Sequence, residues 1–358
     1  MKVFHCDHCD HLVFFENIKC VKCTAPLAFL PDLKVVASLD PAKEAGLFTT
    51  PIPRAEGKTF RLCMNYATHN ICNMAVAAED PNPLCISCRL TRMIPNLSKP
   101  GNREAWYKLE LAKRRLVYTL HGLSLPLQSK TDDPNRGLAF EFLADPEDPT
   151  APKVMTGHDD GVITLSLAEA DDAEREKRRV SLQEPFRTLL GHFRHEIGHY
   201  YWDRLILTDE TRLAAFRKLF GDEREDYGEA LKRHYQQGPP ADWADHFVTP
   251  YAASHPWENW AETWAHYLHM IDALETAAAC GLSLKPRRKD EPTIKTVPDP
   301  LNDTGNEFDR LTAGWSPLTY VLNNLNRGLG LPDGYPFVLP APAVEKLRFV
   351  HDTIATAG

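Results

Sequence analysis

Two pairs of cysteines in the first 23 residues constrain this chain more than any other feature. Cys6 and Cys9 are followed, after ten residues, by Cys20 and Cys23. A segment this short has no room for an apolar core of its own and needs a staple. Two CxxC knuckles supply four thiolates, which satisfy tetrahedral zinc completely and leave no open position for chemistry. A second set follows at Cys63, Cys72, Cys85 and Cys88, with one CxxC and two spaced cysteines. His69 can stand in for Cys63 or Cys72 there, and His5, His8 and His11 compete at the first set. Eight of the nine cysteines lie before residue 90, so the expectation is two structural zinc sites in two ribbons rather than disulfides.

The stretch MKVFHCDHCDHLVF places His, Asp and Cys where a secretory signal carries an uninterrupted apolar run, and no segment is apolar enough to span a bilayer. A cytoplasmic protein without a membrane partner is therefore expected. Charge divides the chain. Residues 1–130 hold 17 Lys+Arg and 11 Asp+Glu, whereas the remainder holds 24 and 38 within an overall charge of -8. A length of 358 residues suits two domains. Pro-rich breaks at 40–53 and 94–101 punctuate the sequence. The division read from them is a double zinc-ribbon domain over 1–100 and a second domain over 101–358.

Beyond the break, Asn102 can cap a helix carrying Trp106, Leu109, Leu111 and Leu116. Short strands are predicted over 116–120, 138–143 and 161–167. Helices are predicted over 182–202, 209–220, 223–236, 256–279, 317–328 and 342–355. The charged, Pro-rich stretch 285–306 reads as a long loop. The fold class is α+β: zinc ribbons, then a mostly helical domain with a small sheet.

Inside the helix predicted from 182 stands His195-Glu196-Ile197-Gly198-His199, an HExxH pattern. Four residues advance a helix by slightly more than one turn, so both imidazoles leave one face and can share a metal, with Glu196 beside them. His192 reads as buried support or a hydrogen-bond partner rather than a ligand. Two histidines leave zinc short of a third protein ligand. After 57 residues comes Trp257-Glu258-Asn259-Trp260-Ala261-Glu262. Glu258 and Glu262 share a helical face, so one can ligate while the other accepts the N–H of a ligating histidine. Trp257, Trp260, Trp264 and Tyr267 around them indicate burial, and Ala261 and Ala265 permit a close helix approach.

This pair of motifs resembles the gluzincin pattern, HExxH followed by ExxA and a further carboxylate. The longer strings, Leu190 to Trp202 and Trp260 to His269, resemble a bacterial family of zinc-binding metallopeptidases with an N-terminal zinc ribbon, and the similarity covers nearly the whole chain. The resemblance implies a zincin-like peptidase domain. His195, His199 and Glu258 would hold a catalytic zinc, with Glu262, where Asp is usual, as a supporting group or alternative ligand. With the ribbons this makes one catalytic and two structural zinc ions. Glu196 would be the general base for water attacking the carbonyl of a polypeptide substrate. Tyr251, His255, His266 and Tyr320 are candidates for the donor that steadies the oxyanion. The strand at 161–165 would stand where such enzymes present a sheet edge to an extended substrate.

The rival reading is an adaptor that binds protein or nucleic acid through its ribbons and carries a silent zincin scaffold. Glu196 speaks against it, because an adaptor needs no base between its histidines. The aromatics near the ribbons, such as Phe4, Phe15 and Phe29, suit a small core better than a base-stacking platform.

Overall fold

Each cysteine set closes a ribbon of very short strands. In the computed structural model, which describes residues 1–148, 150–181, 188–303, 307–335 and 338–357, β1 (Phe4–His5) pairs antiparallel with β2 (Leu12–Val13), and β3 (Leu27–Leu30) with β4 (Val35–Ser38). The second ribbon is an antiparallel sheet in the order β5 (Asp40–Pro41), β6 (Phe48–Thr49), β7 (Phe60–Leu62), β8 (Ala75–Ala77), with the short helix α1 (Met64–His69) after Cys63. Leu30, Leu39 and Phe60 are part of a small shared core. Residues fall into two compact units: 2–121 with 126–177, and residue 1 with 122–125 and 178–358.

The ribbon-bearing unit also contains a mixed sheet in the order β11 (Gly157–Asp159), β12 (Val162–Ser166), β10 (Ala139–Leu143), β9 (Thr91–Met93). Helix α2 (Asn102–Gly122) is the crossover between parallel β9 and β10. Two expectations are corrected here. Leu116–Leu120, read as a strand, is the last part of α2. Its branched and aromatic run favours a strand only in isolation. All five side chains are buried as continuations of the helix, and tertiary burial overrides propensity. The strand at 161–165 is not a sheet edge, because β12 has β10 on one side and β11 on the other. The β11–β12 hairpin turns through Asp160 and Gly161, both at positive φ, and a Cβ at Gly161 would stand 2.4 Å from the Gly137 carbonyl oxygen. Only glycine fits there.

An unexpected helix, α3 (Asp172–Ser181), starts where Asp171 accepts from the N–H groups of Ala173 and Glu174 at 2.8 and 3.0 Å. Its almost wholly polar sequence carries no apolar period. The predicted helix start at 182 lies outside the described residues. The other unit is built from α4 (Leu189–Leu205), α5 (Glu210–Phe220), α6 (Tyr227–Gln237), α7 (Pro256–Ala279), α8 (Phe308–Gly328) and α9 (Ala341–Ala355). Helix α8 begins well before Pro317, the residue expected to open it. Buried Phe308, Leu311 and Trp315 carry the helix through the proline.

Helices α4 and α7 form the centre of this unit. Tyr201 stacks on Trp264 at 4.9 Å and Phe216 on Phe220 at 4.9 Å. Truncating a buried aromatic of this kind costs about 3–5 kcal/mol. No helix among the described residues is long and apolar enough to cross a membrane.

Candidate metal centre

Helix α4 starts at Thr188, whose hydroxyl accepts from Gly191 N–H at 2.9 Å. Helix α7 starts with Pro256 at its first position and with His255 as its cap, the imidazole Nδ1 accepting from Trp257 N–H at 3.1 Å. Glu258 therefore sits in the first turn, where the helix dipole favours a carboxylate.

Across the α4–α7 interface three donors converge. His195 Nε2 lies 3.2 Å from His199 Nε2 and 3.0 Å from Glu258 Oε2, and His199 Nε2 lies 3.7 Å from Glu258 Oε1. With zinc bonds of 2.0–2.1 Å, the edge of a tetrahedron of ligands is about 3.3 Å, which the three separations bracket. The donor set and spacing fit a zinc ion. Glu262 turns to the other imidazole nitrogen: its Oε1 is 2.7 Å from His195 Nδ1, and its Oε2 accepts from Thr249 Oγ1 at 2.6 Å. Tyr227 donates its hydroxyl to Glu258 Oε1 at 2.7 Å. His192 Nε2 meets Glu196 Oε1 at 3.2 Å, and the Trp257 ring lies 4.0 Å from that of His199.

Burial opposes ionisation of Glu196, but the hydrogen bond from His192 and the fields of His195 and His199 outweigh it and hold its pKa at about 2. Glu258 is likewise held at about 2 against burial, by His199, His195 and the Tyr227 hydroxyl. Burial pulls His199 down, whereas Glu258 and Glu262 overcome burial at His195 and raise it.

The four oxyanion candidates lie apart in role. The Tyr251 ring is 6.0 Å from that of His195, His255 caps α7, and Tyr320 is half-buried on α8. His266 is buried with Nδ1 2.6 Å from the Tyr335 hydroxyl, and burial pushes it down to about 4. Sequence reasoning missed Tyr227 and Thr249. Neither belongs to a motif, although Asp226 as the cap of α6 marks where the Tyr227 helix begins.

The cysteine sets also assemble. Cys6 and Cys23 are 3.5 Å apart between sulfurs, Cys9 and Cys20 3.7 Å, and Cys72 and Cys85 3.7 Å. The tetrahedral edge for 2.3 Å zinc–sulfur bonds is about 3.8 Å. Main-chain N–H groups of Cys85 and Met74 point at the sulfurs of Cys63 and Cys72, each at 3.4 Å, which favours thiolates. In both of these sets the metal-compatible group consists of the four cysteines alone. His8 instead meets Asp40 at 3.1 Å, and the His69 ring lies against Trp106.

Residues 102–353 match the family described as "Putative zinc-binding metallo-peptidase", and residues 3–99 match a zinc-ribbon domain family. Uncharacterized proteins of Mycobacterium bovis and of two strains of Mycobacterium tuberculosis are each 43% identical to this chain, over 99% of it and 95% of their own length. No solved structure matches.

Proposed function

The chain belongs to the zinc-binding metallo-peptidase family and carries that family's match beside a zinc-ribbon domain, and from that premise we propose that it hydrolyses peptide bonds at the cluster of His195, His199 and Glu258. The observation that carries this reading is the convergence of three donors at tetrahedral-edge separations, with Glu196 on the same helix between the two histidines. Bound there, zinc would polarise a carbonyl oxygen and lower the pKa of a water to about 7.

The protein's own groups do the rest. Glu196 is ionised, its carboxylate held by His192. It takes the proton from the attacking water and returns it to the leaving amine. Glu262, anchored by Thr249, fixes the ring of His195. Tyr227, whose hydroxyl already stands at Glu258, turns to the substrate carbonyl and steadies the oxyanion. The ribbons over 1–100 hold two structural zinc ions at Cys6, Cys9, Cys20 and Cys23 and at Cys63, Cys72, Cys85 and Cys88. The peptidase domain spans 101–358, and its substrate is a polypeptide.

Elemental analysis combined with a peptidase assay tests this. Wild type should carry three zinc ions and His195→Ala/His199→Ala two. Glu196→Gln should keep three while hydrolysis falls by roughly 10²–10⁴. Undiminished cleavage by Glu196→Gln would show the mechanism to be wrong.

A further inference from the structure

The two cysteine sets share a chemistry and differ in their surroundings. All four cysteines of the second set, Cys63, Cys72, Cys85 and Cys88, are buried. In the first set Cys6 and Cys20 are buried, but Cys9 and Cys23 are half-buried. Each of these two stands in a knuckle whose neighbours are exposed: His8 and Asp10 beside Cys9, Lys22 and Thr24 beside Cys23. The contrast extends to depth. Protein packs around the sulfurs of Cys72, Cys85 and Cys88 from all sides, whereas only a thin shell surrounds those of Cys20 and Cys23.

A dissolved two-electron oxidant therefore meets the first set before the second, because cysteine oxidation follows thiolate character and access together. Each half-buried sulfur also has a buried one beside it to resolve a first oxidation, reached across the two knuckles. Cys9 lies 3.7 Å from Cys20 between sulfurs, and Cys23 lies 3.5 Å from Cys6.

We propose that the first cysteine set is a peroxide-sensitive site: it oxidises to a cross-knuckle disulfide, Cys9–Cys20 or Cys6–Cys23, and gives up its zinc while the second set keeps its own. The thiolate of Cys9 or Cys23 attacks one peroxide oxygen, the O–O bond breaks, and hydroxide leaves as a sulfenic acid forms. The facing thiolate of Cys20 or Cys6 then attacks that sulfur and expels a second hydroxide. Two thiolates, one hydrogen peroxide and two protons thus give one disulfide and two waters. Only two thiolates remain, too few to close a structural zinc site. The ribbon then loses its staple, and with it the packing of Phe4 and Phe15 on Phe29. The proposal rests on the reading of the cysteine sets as zinc sites and is independent of peptide hydrolysis.

Zinc-loaded, full-length Cys280→Ser protein, freed of its exposed thiol, is treated with excess hydrogen peroxide, and zinc release is followed with a chromophoric chelator. Release of one zinc ion per chain is expected, regained on adding a phosphine reductant and zinc. Trypsin cleaves after Lys2, Lys19, Lys22 and Lys34, so mass spectrometry of the oxidised protein should show residues 3–19 joined to 20–22 or to 23–34. Hydrogen exchange should quicken over 4–23 and stay unchanged over 63–88. Adding Cys9→Ser/Cys20→Ser should give a protein that starts with one zinc ion fewer and releases none to peroxide. If it starts with as much zinc as its parent, the zinc reading of the first set is itself wrong. If the set is loaded and peroxide frees no zinc, frees that of the second set as well, or leaves no cross-knuckle disulfide, the proposal is overturned.

Discussion

The indole N–H of Trp260 donates to the main-chain carbonyl of Gly198 at 2.8 Å, a bond across the interface where α7 presents Glu258 to the two histidines of α4. The approach depends on a missing side chain. A Cβ at Gly198 would stand 3.0 Å from Ala261 Cα and 3.2 Å from Trp264 Cβ. An intervening residue of the HExxH motif thus sets the distance between the helices, and with it the geometry of the donor cluster.

Gly198→Ala tests this with a sign. Helix propensity alone predicts stabilisation by about 1 kcal/mol. Contact with the α7 backbone predicts the opposite, because overpacking costs about 1–3 kcal/mol. The expected outcome is a net loss of about 1 kcal/mol in denaturant unfolding, together with easier removal of zinc by chelator. A stabilised variant with undiminished zinc retention would mean that the close approach of the helices does not depend on the missing side chain at Gly198.

Thr249 reaches His195 through Glu262. Thr249→Val removes the donor to Glu262 Oε2 and the acceptor that Ala252 N–H uses at 3.0 Å. Zinc affinity at the histidine cluster should fall about 10–100-fold and return in Thr249→Ser. Competition with a chromophoric chelator reads both. If Thr249→Val binds zinc as wild type does, Glu262 needs no anchor.

What could be read from the sequence follows from how local each signal is. The cysteine sets, the HExxH helix and the acidic pair on α7 are visible because ligation and helical faces impose fixed spacings. Helix α7 in particular was predicted with its observed ends, since Pro256 opens it and its apolar stripe is unbroken. Leu116–Leu120 misled because five apolar or branched residues suit a strand as well as a buried helix face, and only the packing of α2 decides. Helix α3 escaped because capping by Asp171, rather than periodicity, defines it. Tyr227 meets Glu258 from 31 positions away, with no spacing rule to announce it. The geometry also separates the two α7 glutamates, left open by spacing alone, since Glu258 faces both Nε2 atoms and Glu262 faces Nδ1.

Tyr227→Phe isolates the hydroxyl. Burial and the neighbouring Glu258 carboxylate push its pKa above the ordinary tyrosine value, so it remains a protonated donor at neutral pH. Loss of one oxyanion donor typically costs about 10²–10³ in kcat. A fall of that size with unchanged zinc content and little change in KM is expected. A change confined to KM would assign the hydroxyl to substrate binding instead.

Lys346 provides a pH test at a residue outside the donor cluster. The residue is 5% exposed, donates to the His246 carbonyl at 3.0 Å, and stands 4.3 Å over the Phe247 ring. Burial pulls its pKa down to about 8, against about 10.4 in the unfolded chain. Between those values the unfolded state binds more protons, so stability rises with pH across the window from about 8 to 10.4. Below pH 8 the burden of the buried charge is fully present. At about 1.4 kcal/mol per pKa unit, and discounted for partial solvent contact, the rise should be about 2 kcal/mol. Lys346→Met removes the titrating group, and with it the hydrogen bond and the ring contact, worth about 1 kcal/mol together. Urea unfolding of both proteins at pH 7 to 10 should therefore give a difference curve that favours the methionine variant by about 1 kcal/mol near pH 7 and falls through zero as pH rises. A flat difference across that range would mean that the lysine is as well solvated folded as unfolded.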